Sequence, residues 1–423
     1  MRRRVAVTGL GVVSPVGNDV PTFWESLLAG KSGVGFITEF PTEKLRSDIC
    51  ASVHGFDIAR YMSPKEADIY GRVTHFSLGA AVEAMTHAGL HGLQRTDDGP
   101  GPDLAGIDRT MIGCLMSTGQ GAVDIFEEQI AKSAARGPRA VSPYFIPGVM
   151  PNGAAALISM RYGLMGPSFN IASACTTGTH SIATSALMIE SGEADVMVAG
   201  GAEAATRLNT VAGFGNARAL ARSVDGDPTK ASRPFDRKRS GFVMGEGAGA
   251  LVLESEEHAR ARGATILAYV AGFGMTTDAQ HLTRPHSEGK GLSLAVARAI
   301  KRAGVTPADI DYVNPHATST PHGDIAEVLA LRQVFGDRLA EIPMSATKSM
   351  IGHLLGGAGA VESIAVVCSL RDQLLHPSIN VDDLDPACTV SLVRERRHAE
   401  VKWAVKCSAG FGGHNCALVF ERA

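Results

Sequence analysis

The chain has 423 residues, 45% hydrophobic and 20% charged, which is long enough to bury one large core or two fused ones without staples. A formal net charge of −3, with basic residues scattered along the sequence, argues against a nucleic-acid partner. The seven cysteines (50, 114, 175, 368, 388, 407 and 416) form no C-x-x-C pair, so neither a disulfide framework nor a zinc knuckle is expected. A reducing cytoplasm fits best.

The N-terminus reads "MRRRVAVTGLGVVSP", and Thr8, Gly9 and Gly11 break its apolar run too early for a signal segment. No run of about 20 apolar residues predicts a membrane span. Gly9-Leu-Gly11-Val-Val-Ser14 approximates the G-x-G-x-x-G of dinucleotide sites, but serine replaces the third glycine and Pro15 disrupts the following turn. The expected role of these glycines is a tight strand exit. The runs "RVAVTGL", "ADVMVAGG", "GALVLES" and "ALVFER" read as strands, alternating with alanine-rich helical patterns, and predict an α/β fold with buried sheets. Ala84-Met-Thr-His-Ala-Gly-Leu90 is echoed by Ala299-Ile-Lys-Arg-Ala-Gly-Val305, each followed by an Ile-Asp pair, Ile107-Asp108 and Ile310-Asp311. A duplicated α/β unit is the simplest account. The charged stretch at 254–266 marks the expected division into halves 1–256 and 257–423, and "RSVDGDPTKASRPFDRKRSG" reads as an irregular surface loop.

Cys175 stands between a strand-like run, "PSFNIASA", and a helix-like run, "GTHSIATSALMIES". If the strand ends near Ala174 and the helix starts between Thr176 and Gly178, the thiol sits at a helix N-terminus, where backbone N–H groups favour a thiolate nucleophile. The alternative is a small buried hydrophobe, and this stretch alone leaves both open. Two later polar, glycine-containing stretches have no obvious packing purpose. The run from Asp311 to Asp324 carries a strand-like start into a loop bearing His316, Thr318 and Thr320. The run from Ser345 to Glu362 carries Lys348 and His353, which would stand about 140° apart on one helix and so are expected on a loop and the start of the next helix.

In order and spacing, "SACTTGTHS", "NPHATSTPHGD", "SATKSMIGHLLGGAGAVES" and "GFGGHN" resemble the β-ketoacyl-[acyl carrier protein] synthases, condensing enzymes of thiolase fold. The resemblance extends through "VAVTGLGVVSPVG", "GGAEAA", "RPFDRKRSGFVMGEGAGALVLE" and "ALVFER", and so covers essentially the whole chain. It is strongest to the elongating synthases of the KAS II type and to ketosynthase subunits of type II polyketide systems. It implies pseudo-twofold halves in an α-β-α-β-α arrangement. It implies that Cys175 accepts an acyl group from a carrier-protein thioester, and that His316 and His353 hold the enolate formed from malonyl-carrier protein. The N–H groups of Cys175 and Phe411 would hold the oxyanion, with Phe411 as a mobile gate. Lys348 would act electrostatically, with Glu362 and Asp324 as partners and Asn415 in the supporting network.

Thr318 and Thr320 resemble the threonines that bind the phosphopantetheine arm, and Gln120, Phe145, Ile146 and Phe214 match positions at the acyl pocket or its dimer boundary. A polar amide at Gln120 would disfavour a plain saturated chain. This sequence departs from the family pattern at Ala317, His322 and His414. The helix offering Lys65 and Arg72 carries Asp68 and Ile69 where basic residues often meet the acidic carrier protein, so Arg139, Arg218 or a second subunit would have to supply that surface. These features favour a polyketide or polyene ketosynthase over a fatty-acid enzyme of the KAS II type. The resemblance implies no redox cofactor and no catalytic metal. The expected partners are acyl carrier protein and a second subunit, as a homodimer or a heterodimer with a chain-length-factor-like chain. A non-catalytic ketosynthase-like subunit is the different-class alternative, and Cys175 argues against it.

Overall fold

The computed structural model describes residues 2–95, 101, 104 and 106–423. The first strand, Val5–Val13, is buried at every position. It pairs antiparallel with Gly247–Ser255, which pairs antiparallel with Val196–Glu203, which pairs parallel with Ile112–Thr118. In the second half Ala268–Thr277 pairs antiparallel with His414–Arg422, which pairs antiparallel with Trp403–Gly410, which pairs parallel with Tyr312–Asn314. The same run of pairings occurs twice, as a duplicated unit requires. The two sets meet edge to edge where Ala6 and Val7 face Tyr269 and Ala268.

Helix Thr177–Ser191 and helix Ala358–Asp372 lie between the two sets of strands, and their apolar residues join both sheets in one central core. Helix Arg72–His87 covers the outer face of the first set, and helix Lys290–Ala303 that of the second. This is the α-β-α-β-α order of the thiolase fold. Among the described residues no helix is long and apolar enough to cross a membrane.

Gly9 and Gly11 lie inside the first strand and not at its exit. A Cβ at Gly9 would stand 2.2 Å from the Ala84 carbonyl oxygen, and one at Gly11 2.0 Å from that of Ala80. In the second half, Gly272 and Gly274 approach the carbonyls of Ala299 and Ala295 in the same way, at 2.2 and 2.0 Å. Ala84 and Ala299, the first residues of the sequence echo, are therefore equivalent helix seats on glycine-bared strands.

Two expectations need correction. "PSFNIASA" forms no strand beyond a single bridge from Ser168 to Cys114. Side chains take its backbone partners instead: Ile171 N donates to Ser117 Oγ, Ser173 N donates to Thr177 Oγ1, and the Asn170 amide clamps both backbone groups of Thr118. The run read as a surface loop is partly core, with Arg233, Phe235, Asp236 and Arg239 all buried. Arg239 is matched there by Asp385 at 2.7 Å and Asp324 at 3.3 Å, which is what permits a guanidinium inside.

Candidate active site

Cys175 sits in a short 3-10 turn, Ala174–Thr176, directly before helix Thr177–Ser191. Ala174 takes φ 51°, a left-handed conformation that costs an alanine roughly 1–2 kcal/mol. The turn is held by Thr176 Oγ1 donating to the Ser173 carbonyl at 2.6 Å. The helix behind it crosses Ala358–Asp372 closely, since a Cβ at Gly178 would lie 2.9 Å from Ala360 N. The N–H groups of Phe411 and of Cys175 itself are directed at the sulfur. Their pull, and that of Lys348, does not offset burial, which pushes the Cys175 thiol up to about 11. The resting group is a thiol, and the thiolate expected from the helix N-terminus is not its ground state.

That ground state makes alkylation base-dependent. The reactive fraction of Cys175 should rise about tenfold per pH unit between about pH 7 and pH 9. Iodoacetamide labelling followed by peptide mass spectrometry checks this, and a plateau in rate within that range would show a depressed thiol instead.

His316 follows the strand Tyr312–Asn314, and its backbone N donates to Glu327 Oε1 at 2.5 Å. Glu327 Oε2 takes the N–H of Ala317 at 2.7 Å. Ala317 adopts φ 43°, which glycine would take without strain, and the two hydrogen bonds that Glu327 accepts from His316 N and Ala317 N help hold this departure from the family pattern in place. His353 lies beyond a single helical turn, Lys348–Ile351, which Gly352 ends at φ 66°. Lys348 thus opens a helical turn while His353 lies outside any helix, on a single bridge to Met244, so the two are separated as expected but with loop and helix exchanged.

The rings of His316 and His353 stand edge to face, with centroids 5.3 Å apart. Both line one cavity of about 270 Å³ together with Cys175, Phe411, Thr318 and Thr320. Their Nδ1 atoms are buried without hydrogen-bond partners, which favours the tautomer with the proton on Nε2, because an orphaned acceptor costs less than an orphaned N–H. Burial first, then the charge of Lys348, hold both imidazoles well below their usual range. Both rings are therefore neutral at physiological pH, and each can donate one hydrogen bond.

Lys348 is fully buried and pairs with Glu362 Oε1 at 2.5 Å. Burial lowers its pKa while Glu362 opposes that shift. Asp324 is not its partner: it accepts from Phe235 N at 2.8 Å and Ser319 N at 3.1 Å and faces Arg239. Asp324 instead shapes the loop between His316 and Thr320. Asn415 donates to Asp278 Oδ1 at 2.8 Å and to the Gly413 carbonyl at 3.1 Å, tying the Phe411 loop to a second loop at the cavity mouth. Phe411 packs on Phe214 at 6.1 Å, and Gly412 and Gly413, at φ 85° and 74°, form the turn beyond it. Thr318 and Thr320 share a hydrogen bond at 3.0 Å on the cavity wall.

Of the residues expected at the acyl pocket, only Phe214 lines this cavity. Gln120 is exposed, Phe145 packs against Phe126 at 5.9 Å, and Ile146 is 60% exposed. The helices Val123–Arg136 and Phe145–Val149 lie on the surface of the chain and present Phe126, Ile130, Tyr144 and Ile146 outward. Inward, only the backbone N–H of Gln120 is used, by Glu203. In this chain the Gln120 amide lies outside the cavity, on the exposed surface at the start of these helices. Arg72 is spent internally on Glu246 at 2.7 Å, whereas Arg218 is exposed at the cavity mouth.

Among the buried charged residues that the sequence does not single out, Glu203, Glu327 and Lys406 bear on this site. Glu203 accepts from Thr118 Oγ1 and from the N–H groups of Gly119, Gln120 and Gly356, and so ties the end of a first-half strand to the turn after His353. The readable signal was a charged residue inside an apolar run, as in "VMVAGGAE" and "WAVKCSAG".

The family model "Beta-ketoacyl synthase, N-terminal domain" matches residues 2–259, and "Beta-ketoacyl synthase, C-terminal domain" matches residues 267–382. The 3-oxoacyl-[acyl-carrier-protein] synthase 2 of Vibrio cholerae is 44% identical over 100% of this chain and 99% of its own length. That of Coxiella burnetii is 40% identical over the same shares. Among solved structures, a type II polyketide ketosynthase in complex with its acyl-carrier protein superimposes with a TM-score of 0.90 at 30% identity, covering all of both chains. The ishigamide ketosynthase/chain length factor gives 0.89 at 33%, again over all of both chains. With a cysteine, two neutral histidines and a buried lysine built around one cavity, and relatives of this kind along its full length, the chain belongs to the β-ketoacyl synthase family of condensing enzymes.

Proposed function

We propose that this chain elongates acyl groups carried as thioesters on acyl carrier protein, as a KAS II-type 3-oxoacyl synthase, and that it works in the cytoplasm without a bound cofactor. The observation that carries the reading is the meeting of Cys175, His316 and His353 in one cavity. Cys175 Sγ attacks the acyl thioester carbonyl, and the carrier thiol leaves with the proton. The N–H groups of Cys175 and Phe411 stabilise the oxyanion. Malonyl-carrier protein then enters past Thr318 and Thr320 and loses carbon dioxide, and the electron pair of the broken C–C bond forms an enolate. Donors on His316 and His353 hold its oxygen. The enolate carbon attacks the acyl-Cys175 carbonyl, a C–C bond forms, and the C–S bond breaks to return Cys175. Lys348 and Glu362 organise the field, and the Phe411 turn gates the acyl cavity.

The pathway reading moves away from the polyketide expectation. The full-length relatives at 40–44% identity are 3-oxoacyl-[acyl-carrier-protein] synthases 2. The second reading, a type II polyketide ketosynthase, draws on the fit to such structures at 30–33% identity. Either way the exposed apolar face around Phe126 and Ile146 is the surface a second ketosynthase-like subunit would cover.

Incubating the purified chain alone with long saturated acyl-carrier protein and malonyl-carrier protein tests the choice. The expected result is a 3-oxoacyl product two carbons longer, formed by a homodimer. Product only after adding a second ketosynthase-like chain would favour the polyketide reading, and no condensation in either case would favour a non-catalytic subunit.

A further inference from the structure

Lys406 has no exposed surface and lies on the strand Trp403–Gly410, which runs directly into Phe411. An ammonium withdrawn from water has to be matched by charge and acceptors or it destabilises the fold. Its Nζ pairs with Glu362 Oε2 at 2.8 Å, while Lys348 holds the other oxygen of the same carboxylate. It also donates to Ser408 Oγ at 3.1 Å and to the carbonyl of Cys407. Two hydrogen bonds and one ion pair thus face the ammonium, and the ion pair is a charge contact without hydrogen-bond alignment, since Glu362 Oε2 has no hydrogen-bond donor. Ser408 Oγ in turn shares a hydrogen bond at 2.7 Å with Thr179 Oγ1, on the first turn of the helix behind Cys175. Lys406 thus touches the Lys348–Glu362 pair on one side and reaches the Cys175 helix through Ser408 on the other, and no step described above uses it.

The geometry points to Lys406 as a second positioning lysine of the condensation site, which fixes Glu362 against Lys348 and supplies uncancelled positive charge behind the two histidines where the enolate forms. This rests on the condensing function proposed above. One carboxylate between two ammonium groups leaves an excess of one positive charge. Burial pushes the Glu327 carboxyl up to about 7, so its charge cancels that excess only in part. The field reaches the rings: after burial and Lys348, Lys406 also helps to keep His316 and His353 neutral. A positive environment that leaves the histidines uncharged favours a negative oxygen beside them without taking a proton from them.

The test separates charge from packing. Lys406→Met keeps much of the volume, and the remaining Lys348–Glu362 pair is neutral, so this variant is expected to fold. Decarboxylation of malonyl-carrier protein should fall about 100-fold, while acylation of Cys175 changes less than about fivefold. Lys406→Ala should lose the same activity and regain at least about tenfold of it, saturably, when methylammonium occupies the vacated space. Neither wild type nor Lys406→Met should respond to methylammonium. A folded Lys406→Met enzyme that decarboxylates within about twofold of wild type would overturn the inference. So would methylammonium raising the melting temperature of Lys406→Ala without restoring decarboxylation, a readout that decides the matter even if the methionine variant does not fold. Wild-type enzyme that releases no carbon dioxide in this assay would remove the proposed function itself, whereas active wild type with an indifferent Lys406 removes only the positioning role.

Discussion

Replacing Cys175 by serine or alanine is expected to abolish acyl transfer and condensation, by about 10³-fold or more, while leaving the fold intact. The thiol is already a reluctant acid here, with burial pushing it up to about 11. A serine hydroxyl at the same place is far less acidic still, and neither histidine makes a hydrogen bond to Cys175 that would let it act as a general base there. Alanine removes the nucleophile outright. Neither change disturbs packing strongly, because serine exchanges one side-chain atom and alanine removes one, and the backbone turn is fixed by Ser173, Thr176 and Thr177. Mass spectrometry of the acylated peptide and thermal melting together check the result. Full elongation by the alanine variant would remove Cys175 from the mechanism. Cys175→Gln should behave differently, since an amide resembles the acylated cysteine and leaves the histidines, Lys348 and the Phe411 turn in place. It is expected to keep malonyl decarboxylation while losing condensation.

What the sequence could show about this site depended on how local each interaction is. Cys175, His316, Lys348 and His353 stand in three short stretches rich in glycine and polar residues, and the structure brings all three to one place. Glu362 was readable as well, because it lies one helix beyond Lys348 in the same run. Asp324 was misread for the opposite reason. Its partners, Phe235 N and Arg239, come from a charged segment some eighty-five to eighty-nine positions earlier that looks solvent-exposed until its arginines are seen to be matched inside. Glu327 and Lys406 sit at single positions of an apolar helix and an apolar strand, and their partners, the N–H groups of His316 and Ala317 for one and Glu362 for the other, come from neighbouring elements of the same half. Gly9 and Gly11 show the same limit on a smaller scale. Their pattern suggested a turn, but the decisive fact is the carbonyl of a helix more than sixty residues away, at 2.2 and 2.0 Å from an added Cβ.

Replacing His316 or His353 by alanine should suppress malonyl decarboxylation by about 10²- to 10³-fold and change acylation of Cys175 by less than about tenfold. The asymmetry follows from where charge develops. In the first half-reaction the oxyanion forms on the carbonyl bound to Cys175, where the N–H groups of Cys175 and Phe411 are already aimed. In the second it forms on the malonyl thioester oxygen, and the two imidazoles, paired edge to face on the wall of the cavity, are the donors assigned to it. Because burial and Lys348 hold both rings neutral, they donate hydrogen bonds without acting as acids, so no acid limb from their titration is expected between about pH 6 and pH 8. The two rings pack edge to face at 5.3 Å, and each alanine therefore also loosens its neighbour, which makes the double variant less than the product of the single ones. Carbon dioxide release from malonyl-carrier protein measures one half-reaction, and the acyl-Cys175 adduct measures the other. If acylation alone fell while decarboxylation kept its wild-type rate, the histidines would belong to the first step and the division of labour proposed for this cavity would be wrong.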